Sequence, residues 1–344
     1  MRPSYLFTLT GNDVVVSVTD KLSIDVIGGN GIVIWSSSVQ MPPKLTMSDG
    51  QVFNLHESKV KDVFDFIDSD FTGYRIRIAN FGNIDVEIDL VLALDTTDTL
   101  LIYVEQIGGE GTVLRIDQLF RIEKPTVQGG YMVLPHGSGY LVDSDCAEEL
   151  PGTRSDTDLI GARWTLPMFG MVRGDNTLFV IVEDWWDCEV KVEHKPDLFS
   201  AIEFNWIPSL GSLNYPRKMT IQFTKNMDHV GMAKAYRKYA QTKGMIKTLE
   251  EKAEETPVLR RYFNSILVRW HTNNNDRDRV MSDLRRFREI GFNLIFFYPK
   301  WESQERQNQV SDSVKDPSRG TWHAFLQPNP GGRGWQYLVG IADE

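Results

Sequence analysis

Apolar residues recur at every second position through most of the first two thirds of the chain, a period that puts alternate side chains on opposite faces of a β-strand. Tyr5, Phe7, Val14, Val16 and Val18 open the series. Residues 20–35, DKLSIDVIGGNGIVIW, give a strand pair around the turn residues Gly28, Gly29, Asn30 and Gly31. Residues 36–70 are looser, with Pro42 and Pro43 among polar residues, and read as cover for a sheet edge or a rim. The alternation sharpens at residues 74–78, YRIRI, and 84–90, IDVEIDL. Ile84, Val86, Ile88 and Leu90 are expected inside, with Asp85, Glu87 and Asp89 in water.

Further strands are expected at residues 100–105, 112–120, 164–172, 177–182, 189–193, 201–206 and 219–223. Between them lies residues 131–145, YMVLPHGSGYLVDSD, whose apolar runs are split by a His-Gly-Ser-Gly turn in which Gly137 and Gly139 are free to adopt positive φ. Short strands separated by Gly, Asp and Asn turns favour an antiparallel sandwich, because a parallel sheet needs helical crossovers.

After Asp228 the period changes. Met232, Ala233, Tyr236, Tyr239 and Ala240 recur at helical spacing, and Gly244 is a natural stop. The tyrosines suit packing between two domains better than an aromatic ligand site. Thr248 and Glu251 have capping-box spacing for a second helix ended by Pro257. Residues 265–270, SILVRW, read as a buried strand; Val280, Leu284, Phe287 and Ile290 trace a helix closed by Gly291; residues 292–298, FNLIFFY, form the next strand. Such a βαβ unit predicts a parallel pair. The expected organisation is a sandwich over 1–225, a helical linker over 226–258, a βαβ region over 259–302 and an irregular segment over 303–344, where QPNPGGRG at 327–334 interrupts any further regular unit.

Charge follows the same division. Residues through Lys225 hold 18 basic and 32 acidic side chains, net −14, against 19 and 15 beyond, net +4, giving −10 for the chain. That balance argues against a nucleic-acid backbone as main partner. Arg277, Arg279, Arg285, Arg286 and Arg288 are read as a solvated or domain-facing helix surface, since no stacking aromatics interleave with them. No run approaches the roughly 20 apolar residues of a membrane-crossing helix, and the N-terminus lacks an apolar signal core. A secreted protein whose targeting segment had been removed would look the same, so location and oligomeric state stay open. Cys146 and Cys188 fit two reduced thiols, with one bridge as the alternative. The six histidines form no metal-ligand spacing, HGSGY has the wrong order for a nucleophile elbow, and the glycines at 28–31 lack the Lys-Ser/Thr of a phosphate loop. No cofactor is expected; turn acids leave structural calcium open.

In order along the chain, DKLSIDVIGGNGIVIW, YMVLPHGSGYLVDSD, FVIVEDWWD at 179–187, the 232–257 helical stretch, and the strands ILVRW and NLIFFYPKW resemble retaining glycoside hydrolases of the α-N-acetylgalactosaminidase families. The resemblance covers roughly residues 20–302. It implies a galactose-mutarotase-like β-supersandwich, then helices and the first βαβ part of a TIM-like barrel, with an α-linked sugar or glycoconjugate as substrate. Complete members use two carboxyl groups, about 5–5.5 Å apart for retention. Those are expected on middle barrel strands, and only 116 residues follow Asp228, whereas a barrel takes about 250 residues and eight strands. Neither catalytic role is therefore assigned to a residue, and a truncated barrel with impaired hydrolysis is the expectation.

The residues expected to touch sugar lie where parallel strands end. Trp270 and His271 follow the first such strand, and Trp301 and Glu302 the second. A tryptophan face can stack on a sugar's C–H surface while His271 and Glu302 bond hydroxyls. Asp184–Trp185–Trp186–Asp187 is either a second sugar-contacting rim, through Asp184 and Trp185, or a turn beside a packed aromatic pair. The functional alternatives are a glycoside hydrolase, whole or partial, and a non-catalytic carbohydrate-binding or protein-interaction module.

Overall fold

In the computed structural model, period-two alternation becomes, among the described residues, eighteen strands in three antiparallel sheets. The structure describes residues 5–298 apart from 32, 37–42, 80, 83, 126–128, 148–159, 161–163, 208–212, 214, 264, 272–276 and 293. The chain divides into two units, residues 1–243 and 244–344. The division falls inside the 226–258 stretch, so the first helix belongs to the first unit.

The strands run β1 (Tyr5–Thr10), β2 (Val14–Thr19), β3 (Ile24–Gly28), β4 (Val33–Ser36), β5 (Lys44–Met47), β6 (Val52–Asn54), β7 (Lys59–Asp68), β8 (Phe71–Ala79) and β9 (Glu87–Leu94). They continue with β10 (Thr99–Gly108), β11 (Val113–Pro125), β12 (Tyr131–Leu134), β13 (Tyr140–Asp143), β14 (Met168–Arg173), β15 (Asn176–Val182), β16 (Cys188–Lys195), β17 (Phe199–Trp206) and β18 (Arg217–Lys225). Strands β1 to β4 make a meander. A nine-stranded sheet has the order β13-β12-β14-β15-β18-β10-β9-β8-β7, and a five-stranded sheet the order β16-β17-β11-β5-β6. The loose 36–70 stretch thus contains three strands, of which β6 and β7 are sheet edges. Their apolar residues are too few and too mixed with charge to announce them, because an edge strand has half the neighbours of a central one.

One core joins the three sheets. Ile76, Ile88, Leu92, Ile102, Val180 and Ile221 of the nine-stranded sheet meet Val16 and Val26 of the meander and Leu45, Phe120 and Phe204 of the five-stranded sheet. Trp35 ties two layers together: its ring lies 4.3 Å from Phe120, and its Nε1 donates to the Arg121 carbonyl at 2.8 Å. This is an antiparallel β-supersandwich.

The nine-stranded sheet also buries part of its outer face. Val91, Ala93, Leu101 and Tyr103 cluster with Phe66 near one edge. Asp89, expected in water, is completely buried there between Arg75 and Arg77, with Arg77 Nε donating to Asp89 Oδ1 at 3.0 Å. Arg77 is its direct cross-strand partner, a contact that alternation within one strand cannot reveal. Toward the other edge, Val133, Met168, Phe179 and Ile181 are covered by α1 (His229–Thr242) through Met232, Ala235, Tyr236 and Tyr239. The helical tyrosines therefore pack on the sandwich itself. A Cβ at position 170 would sit 2.2 Å from Met232 Sδ, so the thioether would have to shift to admit one. Asp228 caps α1, accepting from Gly231 N at 2.7 Å.

The second unit begins with α2 (Leu249–Glu255), where Thr248 and Glu251 make the expected capping box. Strand β19 (Leu267–His271), helix α3 (Arg277–Glu289) and strand β20 (Leu294–Tyr298) follow. The two strands pair in parallel, from Leu267↔Leu294 to His271↔Tyr298, as the sequence predicts. Gly291, at φ 98°, ends α3: its amide donates to the Arg288 carbonyl, and Phe292 N to the Phe287 carbonyl, in a Schellman arrangement. Leu284 and Phe287 are half-buried, whereas Ile290, past the helix end, is 62% exposed. Among the described residues no closed barrel forms, and no helix is long and apolar enough to cross a membrane.

Candidate functional site

Two places hold the residues that the sequence marks for sugar contact. In the second unit, parallel pairing puts the C-terminal ends of β19 and β20 at one edge, with Trp270 beside Phe297 and His271 beside Tyr298 in register. Trp301 and Glu302 lie outside the described residues. Neither strand contains an aspartate or glutamate.

In the first unit, residues 183–187 follow β15 and form a turn pinned to its neighbours. The amides of Glu183 and Asp184 point to the Lys218 carbonyl at 3.0 and 3.3 Å, and Lys218 N donates to Asp184 Oδ2 at 3.0 Å. Trp206 Nε1 donates to the Asp184 carbonyl at 3.1 Å, Cys188 N to the Trp185 carbonyl at 3.1 Å, and Ile207 N to the Asp187 carbonyl at 3.0 Å. Asp187 and Arg217 are fully buried and joined at 2.9 Å, with the guanidinium 3.4 Å from the ring centre of Tyr215.

This wiring sorts the four turn residues. Asp184 is half-buried and spends one carboxylate oxygen on a backbone amide; burial pushes its pKa up, against the opposing pull of that hydrogen bond and of Lys218. Trp185 packs against the sandwich core. Trp186 stacks on Trp185 with ring centres 4.3 Å apart and planes 20° apart, and is 73% exposed. The ring offered to solvent is thus Trp186 rather than Trp185. Alternation could not distinguish two adjacent tryptophans in a turn; the bonds from the Trp206 indole of β17 and the Lys218 backbone of β18 fix the turn that presents Trp186.

Polar groups border the same turn. Glu183 pairs with Lys243, just past the end of α1, at 3.3 Å. The Lys243 ammonium also lies 5.5 Å from the Tyr239 ring centre. Burial raises the Tyr239 pKa, and the nearby carboxylate of Glu183 adds to the rise. Burial likewise raises Tyr215, followed by its hydrogen bond with Asp187.

The remaining chemistry-bearing residues are accounted for by packing. His194 is fully buried, with Nδ1 2.9 Å from Ser200 Oγ and Nε2 2.9 Å from the Cys146 carbonyl. Cys146 and Cys188 are not joined in a disulfide, and burial holds Cys188 far above the ordinary thiol pKa, as a protonated core residue. The Gly137 and Gly139 turn has φ values of 58° and 96°, with His136 5.5 Å from both Tyr140 and Trp164. At the opposite end of the β12–β13 hairpin a cleft is lined by Gly130, Tyr131, Asp143, Asp145 and Asp197. Among the described residues no group of three or more His, Cys, Asp and Glu is placed to hold a metal ion.

No protein-family model matches the chain, and no curated relative does. Solved structures do. The ligand-free α-N-acetylgalactosaminidase NagBb from Bifidobacterium bifidum superposes with a TM-score of 0.74 at 16% identity, over 98% of this chain and 57% of that one. The likeness is one of fold. The same enzyme in complex with GalNAc gives a TM-score of 0.72 at 18% identity, over 87% of this chain and 52% of that one. Its complex with Gal-NHAc-DNJ gives 0.70 at 17%, with the same coverage. The chain thus spans about half the length of the structures it matches.

Proposed function

We propose that this is a glycoside-hydrolase-like protein that recognises an α-linked galactose-type sugar or glycoconjugate, with hydrolysis impaired in the chain described here. The supporting observation is architectural: a supersandwich followed by a parallel βαβ unit, in an order that matches an α-N-acetylgalactosaminidase over nearly the whole chain. In the proposed site the C-terminal edge of β19 and β20 is the mouth, with Trp270, His271, Trp301 and Glu302 as the sugar contacts. A two-carboxylate mechanism needs an attacking or stabilising carboxylate and a proton donor on either side of the glycosidic bond. Strands β19 and β20 themselves contain no carboxylate side chain.

A non-catalytic carbohydrate-binding role is the second reading, favoured by the exposed tryptophan on the sandwich. The test is to give the full chain p-nitrophenyl α-N-acetylgalactosaminide and p-nitrophenyl α-galactoside while measuring binding of the corresponding methyl glycosides. Saturable binding with nitrophenol release barely above the uncatalysed rate is expected. Rapid release lost on Glu302→Gln would overturn the impairment; neither binding nor release would overturn the whole reading.

A further inference from the structure

We propose that the 183–187 turn is a carbohydrate-stacking site built on the sandwich itself, with the free face of Trp186 as platform for a pyranose ring. The first observation is exposure. One face of the indole is covered by Trp185 at 4.3 Å, so the 73% exposure of Trp186 belongs to its other face and its edge. Trp185 in turn leans on the sandwich core. The platform is therefore a two-ring stack with a fixed base.

The second observation is rigidity. Every residue of the turn except Trp186 is bonded by side chain or backbone to β17, β18 or the strand that follows. A buried ion pair such as Asp187–Arg217 is a poor source of net stability, since desolvation offsets the attraction. It does fix the geometry of what it joins. A turn held this firmly, with a large aromatic pointing at water, has the features of a preorganised binding surface.

The third is chemical fit. An indole face matches the C–H face of a sugar, and the sugar's rim of hydroxyls then needs donors and acceptors at the platform's border. Glu183, in the same turn, and its ion-pair partner Lys243 carry a carboxylate and a half-exposed ammonium. A wholly apolar ligand would leave that ion pair facing nothing; a pyranose would use both halves.

The inference rests on the sugar-binding reading above, yet it places this contact on the first unit instead of on β19 and β20. It is tested with the full chain by titrating methyl α-N-acetylgalactosaminide into wild type, Trp186→Ala and Trp186→Phe, followed by calorimetry, with circular dichroism as the folding control. Trp186→Ala is expected to weaken binding about tenfold with an unchanged spectrum, and Trp186→Phe, which keeps a ring, to retain most of it. Equal affinity of wild type and Trp186→Ala would overturn the stacking site and leave sugar binding elsewhere intact. Absence of binding in wild type would remove the sugar-binding reading and this site with it.

Discussion

Asp184 carries a charge that the fold disfavours. Burial raises its pKa above the ordinary value of about 4, so the folded protein holds this proton to higher pH than the unfolded chain does. Its contribution to stability therefore falls as pH rises from the unfolded pKa through the raised folded one, and is constant above that. Asp184→Asn should flatten that part of the profile: urea midpoints taken from pH 3.5 to 7 are expected to decline less in the variant, and an identical decline would contradict this. Arg217 tests the opposite case. Replacing it with alanine leaves Asp187 buried without its 2.9 Å partner, a loss of about 3–5 kcal/mol by urea denaturation. Gly73 tests sterics: a Cβ would lie 2.2 Å from the Leu92 carbonyl oxygen and 2.5 Å from Ala93 Cα, both rigid sheet backbone. Gly73→Ala is expected to cost about 1–3 kcal/mol in the same measurement. None of these three roles was legible in the sequence, because each is set by a strand distant along the chain. Asp89 is the plainest example: its own strand marks it as a surface acid, and only Arg75 and Arg77 across the ladder reveal it as a buried one.

Elements were easier to read than residues where local signals agree. The box formed by Thr248 and Glu251, the stop at Gly291 and the turn glycines 137 and 139 all occur as their spacing predicts, since each depends on neighbours within a few residues. Thr248→Ala should remove about 1 kcal/mol of support from α2, seen as faster amide exchange at residues 249–252 while β19 is unchanged; uniform exchange would show that the cap is unimportant. The parallel pairing of β19 and β20 was legible too, from a run, an amphipathic helix and a second run. Strands β5, β6 and β7 were not: β6 and β7 lie at sheet edges, where the alternation that marks a half-buried strand weakens, and β5, between β11 and β6, is only four residues long. The face of α1 was legible at Met232, Tyr236, Tyr239 and Ala240, although Ala235 packs inward and Ala233 is exposed; its partner was not, for periodicity marks the tyrosines as inward without saying that Phe179 and Ile181 cover them.

For the whole molecule, the change of pattern after Asp228 corresponds to the passage from a β-supersandwich to α-helices and a parallel βαβ unit, the order found in the matching half of NagBb. At 16–18% identity that match carries architecture and not side chains, which is why the proposed sugar contacts rest on the local physics of the 183–187 turn and of the β19 and β20 edge. The sandwich could be anticipated from period-two alternation; which of two adjacent tryptophans reaches solvent could not. The central claim, recognition of an α-linked galactose-type sugar, is tested most directly by saturation-transfer NMR on the full chain offered methyl α-N-acetylgalactosaminide and methyl α-glucoside together. Transfer to the galactose-type ring well above that to the glucoside is the predicted result; equal transfer to both, or none to either, would contradict it.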